Sequence, residues 1–136
     1  MSLSLIHSFE YTLYETLKNK EIVSSLTSSI YLSIQQNAKQ PFILVNIEKI
    51  TNVMNICSKY YEIDFQICIF DNQKTKSSLL KIAGAVSEVV IPYNLQSNIF
   101  FVISTNFITS EFIKGQDLLT TKLVLNYKAL LMPIKG

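Results

Sequence analysis

The stretch from Tyr60 to Val90, YYEIDFQICIFDNQKTKSSLLKIAGAVSEVV, places two different hydrophobic periods next to each other. In its first part every second residue is apolar: Tyr61, Ile63, Phe65, Ile67 and Ile69. Such alternation predicts a strand with one buried face. After Asp71 and Asn72 the period becomes helical, with an apolar stripe formed by Leu79, Ile82, Ala83, Val86 and Val90. A strand that leads into a helix lying on the same sheet predicts a two-layer α+β unit.

The rest of the chain adds one further main helix and four further strands. Apolar spacing predicts the first helix over residues 4–18, with Ile6, Phe9, Leu13 and Leu17 on one face, followed by a short helical turn over 21–26. Strands are predicted over 30–35, 42–51, 99–112 and 118–131, with a loop over 52–59 and a hairpin turn over 114–117. We therefore expect one domain, residues 1–136, of the α+β class. Its sheet is mostly antiparallel, with about five strands and two main helices packed on one face, in the order α-β-β-β-α-β-β.

The composition favours self-association. Hydrophobic residues make up 49% of the 136 residues and charged residues only 16%, against about 25% charged residues in an average domain. Because a small domain keeps a large share of its surface in water, subunit interfaces are expected to cover part of this apolar surface. An apolar-rich monomer is the alternative.

The charged residues argue against several functions. The net charge is +2, and all twelve basic residues are lysines. Without the bidentate guanidinium of arginine, sequence-specific recognition of nucleic acid is not expected. No apolar run approaches the ~18 residues of a membrane span, so no membrane partner is expected. Two cysteines, Cys57 and Cys68, do not form a disulfide framework, which favours synthesis in a reducing cytoplasm.

No combination of residues predicts catalysis, a metal site or a cofactor. His7 is the single histidine and has no second imidazole to complete a metal site. Three glycines are too few for a phosphate-binding loop. Glu62 and Asp64 lie on the polar face of the predicted strand, where the simplest interpretation is solvation. We therefore predict that the protein is not an enzyme.

Three aromatic residues break the polar pattern expected of an exposed sheet face: Tyr60, Phe70 and Phe100. Exposed aromatic side chains on one face are typical of protein interfaces. A helix that covers this face would explain them equally well.

In this order, the segments resemble the tail-completion proteins of long-tailed phages and of phage-derived gene transfer agents, also called tail-terminator or head–tail joining proteins. The resemblance covers about residues 13–131. It lies in the helical LYETL (13–17), in PFILV (41–45), in YEIDFQI (61–67), in the helix with Leu79, Ala83 and Val86, and in the closing hairpin near Tyr127 and Leu131.

The resemblance implies a structural subunit made in the bacterial cytoplasm and assembled into the tail of a virion or phage-like particle. Such a subunit forms a ring, expected to be a hexamer, that caps the tail tube and joins it to the head. Its partners are copies of itself, the tail-tube protein and a head-completion or connector protein, with DNA only as non-specific cargo. The residues expected at interfaces are Met54, Asn55, Tyr60, Phe100, Lys114, Gly115 and Gln116.

Glu62 and Asp64 are expected to face the lumen of the ring, where their charge would keep DNA from adhering.

A second hypothesis for the function is a small α+β ligand-binding domain or enzyme, with an apolar pocket between helix and sheet.

Overall fold

The computed structural model describes residues 2–27, 29–33, 39–54, 59–71, 76–91, 95, 97–115 and 120–134. The elements along the chain are α1 (Ser2–Asn19), α2 (Glu21–Ser24), β1 (Ser29–Tyr31), β2 (Phe42–Met54), β3 (Lys59–Asp71), α3 (Ser77–Val90), β4 (Phe100–Lys114) and β5 (Thr121–Pro133). The predicted α+β class and the order of the elements are confirmed.

The five strands form one sheet in the order β1-β2-β3-β5-β4. Only the β1–β2 pair is parallel, and the other three pairs are antiparallel. β1 and β4 are therefore the edge strands. They differ greatly in length, because β1 has 3 residues and β4 has 15.

The strands around residue 54 are longer than predicted. Residues 52–54 continue β2, and Lys59 already belongs to β3, so at these four positions the predicted loop over 52–59 is wrong; residues 55–58 lie outside the described residues. The reason is cross-strand pairing, since Asn52 pairs with Tyr61 and Met54 with Lys59. The predicted first strand over 30–35 begins earlier and ends at Tyr31.

Helix α1 covers the sheet with one residue per turn. Leu5, Phe9, Leu13 and Leu17 are each 4% exposed or less, and their spacing of four places them on one side of the helix. Ile6, which the predicted stripe contained, is only half-buried. Thus α1 packs on β1 and β2 and beside α3.

Aromatic rings fill the space between the helices and the sheet. The rings of Phe9 and Phe65 pack edge to face with their centroids 5.2 Å apart, and the rings of Phe65 and Tyr127 stack with their centroids 5.3 Å apart. The Tyr127 and Ser87 hydroxyls share a hydrogen bond of 2.7 Å, which ties α3 to β5. Burial raises the pKa of Tyr127 above its ordinary value of 10.0, and the hydrogen bond from Ser87 opposes this shift.

The other face of the sheet carries no described helix, and we call it the open face. A ladder of side-chain hydrogen bonds crosses its middle through four strands. Asn46 donates to Gln66 at 3.4 Å, Gln66 donates to Asn126 at 3.0 Å, and Asn126 donates to Thr109 at 3.0 Å. The sheet thus separates an apolar, helix-covered side from a side whose middle is polar.

Candidate assembly surface

The described residues hold no metal-binding group. Among them, no three His, Cys, Asp or Glu side chains come close enough to hold an ion. The same part of the chain contains no helix that is both long and apolar enough to span a membrane. Cys68 is buried, and burial raises the pKa of its thiol, although Lys122 acts in the opposite direction. A thiol in this state is a poor nucleophile.

Two recesses open at the surface of the described structure. One has a volume of about 360 Å³ and lies between α1, α2 and β1; its lining includes Tyr14, Lys18, Ser24, Thr27, Ile30 and Tyr31. We call it the α1–α2 recess. The other, of about 580 Å³, lies at the start of β4 and is lined by Leu95, Phe100, Phe101 and Ile134 among others. Neither lining pairs a carboxylate with an imidazole, a thiol or a second carboxylate.

Exposed apolar side chains are concentrated on α3 and along the edge strand β4. Of the eleven large apolar side chains exposed in the described residues, nine lie on α3, on β4 or beside the ends of these elements. These nine, 38–58% exposed, are Leu80, Ile91, Ile99, Phe101, Ile103, Phe107, Ile108, Ile113 and Ile134. Together with Gly84 we call them the α3–β4 surface. Phe107 pairs with Tyr127 on the helix-covered side, whereas Ile113 pairs with Lys122 on the open face, so these side chains border both faces of the edge strand. Single exposed apolar residues are common, but so many along one edge of a sheet are typical of an interaction site.

The edge position of β4 explains most of this exposure. Strand β4 pairs only with β5, so its far side lacks a neighbouring strand in the described structure. The pairing with β5 is interrupted twice, which leaves Ile103 and Ile108 as extra residues in β4. A β-bulge of this kind bends the strand and redirects its side chains. These two isoleucines are 42% and 52% exposed.

One flank of α3 continues this surface. Ser87 faces β5, as its hydrogen bond to Tyr127 shows. Because successive helical residues are about 100° apart, Leu80, Gly84 and Ile91 fall within about 60° of Ser87 around the helix. An added Cβ at Gly84 would meet nothing within 4 Å. The α3 flank is therefore accessible at these three positions.

The open face is charged but balanced. Lys128 lies 3.1 Å from Glu62 and 3.8 Å from Asp64, and Lys49 pairs with Asp64 across the β2–β3 ladder. The hydrogen bond to Glu62 is the main cause of the raised pKa of Lys128, and the charge of Asp64 adds to it. The acidic pair predicted to face a lumen is thus compensated by a lysine of β5, which spacing within one strand does not reveal.

The predicted interface residues occupy different surroundings. Phe100 is 2% exposed, and its ring lies 6.0 Å from that of Phe9. The expectation that it forms part of an exposed aromatic surface is wrong, because α1 covers it, which is the alternative named above. Tyr60 is half-buried on the open face opposite Val53. Met54 ends β2, whereas Asn55 lies outside the described residues.

The hairpin after β4 is described only at its base. Lys114 ends β4 and is exposed, and the N–H of Gly115 donates to the carbonyl of Thr120 at 2.8 Å. Gln116 lies outside the described residues. The exposed residues of β4 itself were not predicted. The signal that could have found them is the irregular apolar spacing of FFVISTNFITSEFI (100–113), which no single strand period fits.

The fold is shared with proteins of phage and phage-like particles. A chain from the virion of a native gene transfer agent particle superposes with a TM-score of 0.83 at 13% identity, over 95% of this chain and 98% of that one. The gp17 protein of bacteriophage SPP1 superposes with a TM-score of 0.62 at 13% identity, over 96% and 91%. No protein-family model and no curated protein matches the sequence. The resemblance seen in the sequence is thereby confirmed at the level of the fold, which this chain has in common with a gene transfer agent virion chain and a phage protein.

Proposed function

We propose that this protein is a structural subunit of a phage or phage-like particle, in which copies form a closed ring that caps the tail tube and joins it to the head. Six copies are the stoichiometry that the sequence resemblance implies. The tail-tube protein and a head-completion protein are the proposed neighbours. Synthesis takes place in the bacterial cytoplasm, before assembly into the particle.

The observation that carries this proposal is the α3–β4 surface. If a fully exposed side chain of this size has roughly 180 Å², its nine apolar side chains expose on the order of 700 Å². A standard interface buries about 800 Å² on each partner. The surface is therefore large enough to serve as one side of a stable subunit contact.

The open face suits the wall of a passage for DNA. The charged side chains along the face alternate in sign, since Lys49, Lys122 and Lys128 stand with Glu62, Asp64 and Glu111, and Glu48 lies at the bulge beside Lys49. The face therefore has no cluster of one sign, and DNA would be neither bound nor strongly repelled. In the proposed ring this face lines the hole, and the helices lie outside it.

The alternative of a ligand-binding domain has less support. It requires an apolar pocket between helix and sheet, where Phe9, Phe65 and Tyr127 instead pack ring against ring. The two recesses of the described structure lie at the edges of the fold.

Deletion of the gene from the phage or phage-derived genetic element that carries it tests the proposal. We expect electron micrographs to show filled heads and finished tails that are not joined, and expression of the protein in trans should restore joined particles. Joined particles in normal number without the protein would contradict the proposed function.

A further inference from the structure

We infer that copies of this chain associate head to tail, with the α3–β4 surface of one copy packed against the α1–α2 recess of the next. The inference rests on the proposed function only in taking the copies to form a ring. The occupant of the α3–β4 surface is therefore a second copy of the chain, through a different part of its surface.

The composition of the α3–β4 surface favours a permanent contact between copies over a transient partner. Between Ile99 and Ile113 the only charged residue is Glu111. Interfaces between identical subunits are more apolar than transient interfaces, whose composition resembles that of the remaining surface. An apolar area on the order of 700 Å² would moreover promote non-specific association if it stayed uncovered.

The acceptor lies at the opposite edge of the sheet. The order β1-β2-β3-β5-β4 places β1, and with it the α1–α2 recess, as far from β4 as the sheet allows. The two remaining exposed apolar side chains, Tyr11 and Ile22, lie on α1 and α2. The ring centroid of Tyr11 lies 6.4 Å from that of Tyr14, which lines the recess.

The α1–α2 recess is large enough to accept exposed side chains of β4. Bulges at Ile103 and Ile108 redirect exposed isoleucines along β4, and Phe101 is 58% exposed. The recess of about 360 Å³ is roomy by comparison with a cavity of about 150 Å³ that holds benzene. One or two such side chains could thus enter it. Contact between two unlike surfaces on opposite edges is heterologous, and a heterologous contact forms a ring when its rotation closes.

Disulfide cross-linking of the full chain tests this contact even if the association is weak. In a Cys57→Ser background, we would place one cysteine in the recess, Ser24→Cys, and one on β4 in three separate variants: Phe101→Cys, Ile108→Cys or Ile113→Cys. Recess and β4 variants are mixed in equal amounts and oxidised. Ser25→Cys is the matched control, because Ser25 is also exposed and adjacent but does not line the recess. Circular dichroism and the Tm establish that each variant is folded.

We expect at least one β4 variant to link to Ser24→Cys several-fold more than either variant links to itself, and several-fold more than to Ser25→Cys. Predominant self-linking of a β4 variant would show a two-fold contact and overturn the inference. Equal linking to both serine positions, or no linking at any concentration, would also overturn it. Rings without this cross-link would leave the proposed function standing. If the cross-link forms but particles join in normal number after deletion of the gene, only the inference stands.

Discussion

Replacing Gly84 by alanine should stabilise the isolated protein. Gly84 lies inside α3, is exposed, and an added methyl group would contact nothing within 4 Å. Glycine in a helix interior costs about 1 kcal/mol relative to alanine, and no steric penalty offsets the gain here. With an unfolding entropy of about 2.1 cal/mol/K per residue, 1 kcal/mol in a chain of 136 residues corresponds to a Tm increase of about 3–4 °C.

Calorimetry and urea denaturation of the isolated chain measure this change. Lys81→Ala is the control, since Lys81 is exposed on the same helix and lysine nearly equals alanine in helix propensity, so its Tm should shift by less than about 1 °C. An unchanged or lower Tm for Gly84→Ala would refute the reasoning, because it would mean that the backbone at Gly84 is not helical or is already in contact.

A longer side chain at position 84 should weaken the association between copies. Gly84 lies on the α3–β4 surface, so the longer side chain of Gly84→Gln should weaken association between copies without lowering the Tm of the single chain. Lys81→Gln introduces the same side chain farther around the helix and should associate as the unmodified protein does. Association is measured as the yield of the disulfide cross-link between copies. Equal yields for the two variants would show that Gly84 does not lie at the interface.

Three further predictions concern the interior. Phe9→Ala should lower the free energy of unfolding by about 3–5 kcal/mol, because a fully buried ring leaves a cavity; a urea midpoint close to that of the exposed-site control Tyr11→Ala would contradict this. The raised pKa of Tyr127 predicts that stability falls as pH rises from 10.0 through that raised value, since the unfolded chain releases the proton first. Tyr127→Phe should reduce this alkaline decrease, and an unaltered pH profile would argue against it. In Cys57→Ser protein, buried Cys68 should react with a thiol reagent only upon unfolding, so rapid labelling of folded protein would refute its burial.

The sequence predicted the parts of the fold that local periodicity controls. The alternation from Tyr61 to Ile69 identified β3, and the stripe from Leu79 to Val90 identified α3, because burial of one face imposes these periods. The helix cover over Phe100 could not be predicted with certainty. It depends on how α1 crosses the sheet, which no local pattern encodes.

The candidate surface was largely missed for a related reason. Contacts between subunits were predicted for the loop over 52–59 and for the hairpin near Gly115, and both stay predictions. The exposed apolar side chains instead lie on β4, and their exposure follows from its edge position and from the bulges at Ile103 and Ile108. Strand order and register arise from pairing between distant segments, so a single strand's sequence does not reveal them. The compensation of Glu62 by Lys128 has the same origin.

Electron cryomicroscopy of the protein in its assembled form tests the central claim most directly. We predict a closed ring in which the α3–β4 surface of every copy is buried against the α1–α2 recess of its neighbour, while the hydrogen-bonded ladder of Asn46, Gln66 and Asn126 faces the hole. A particle in which Phe101, Ile108 and Ile113 of every copy remain in solvent would contradict the account.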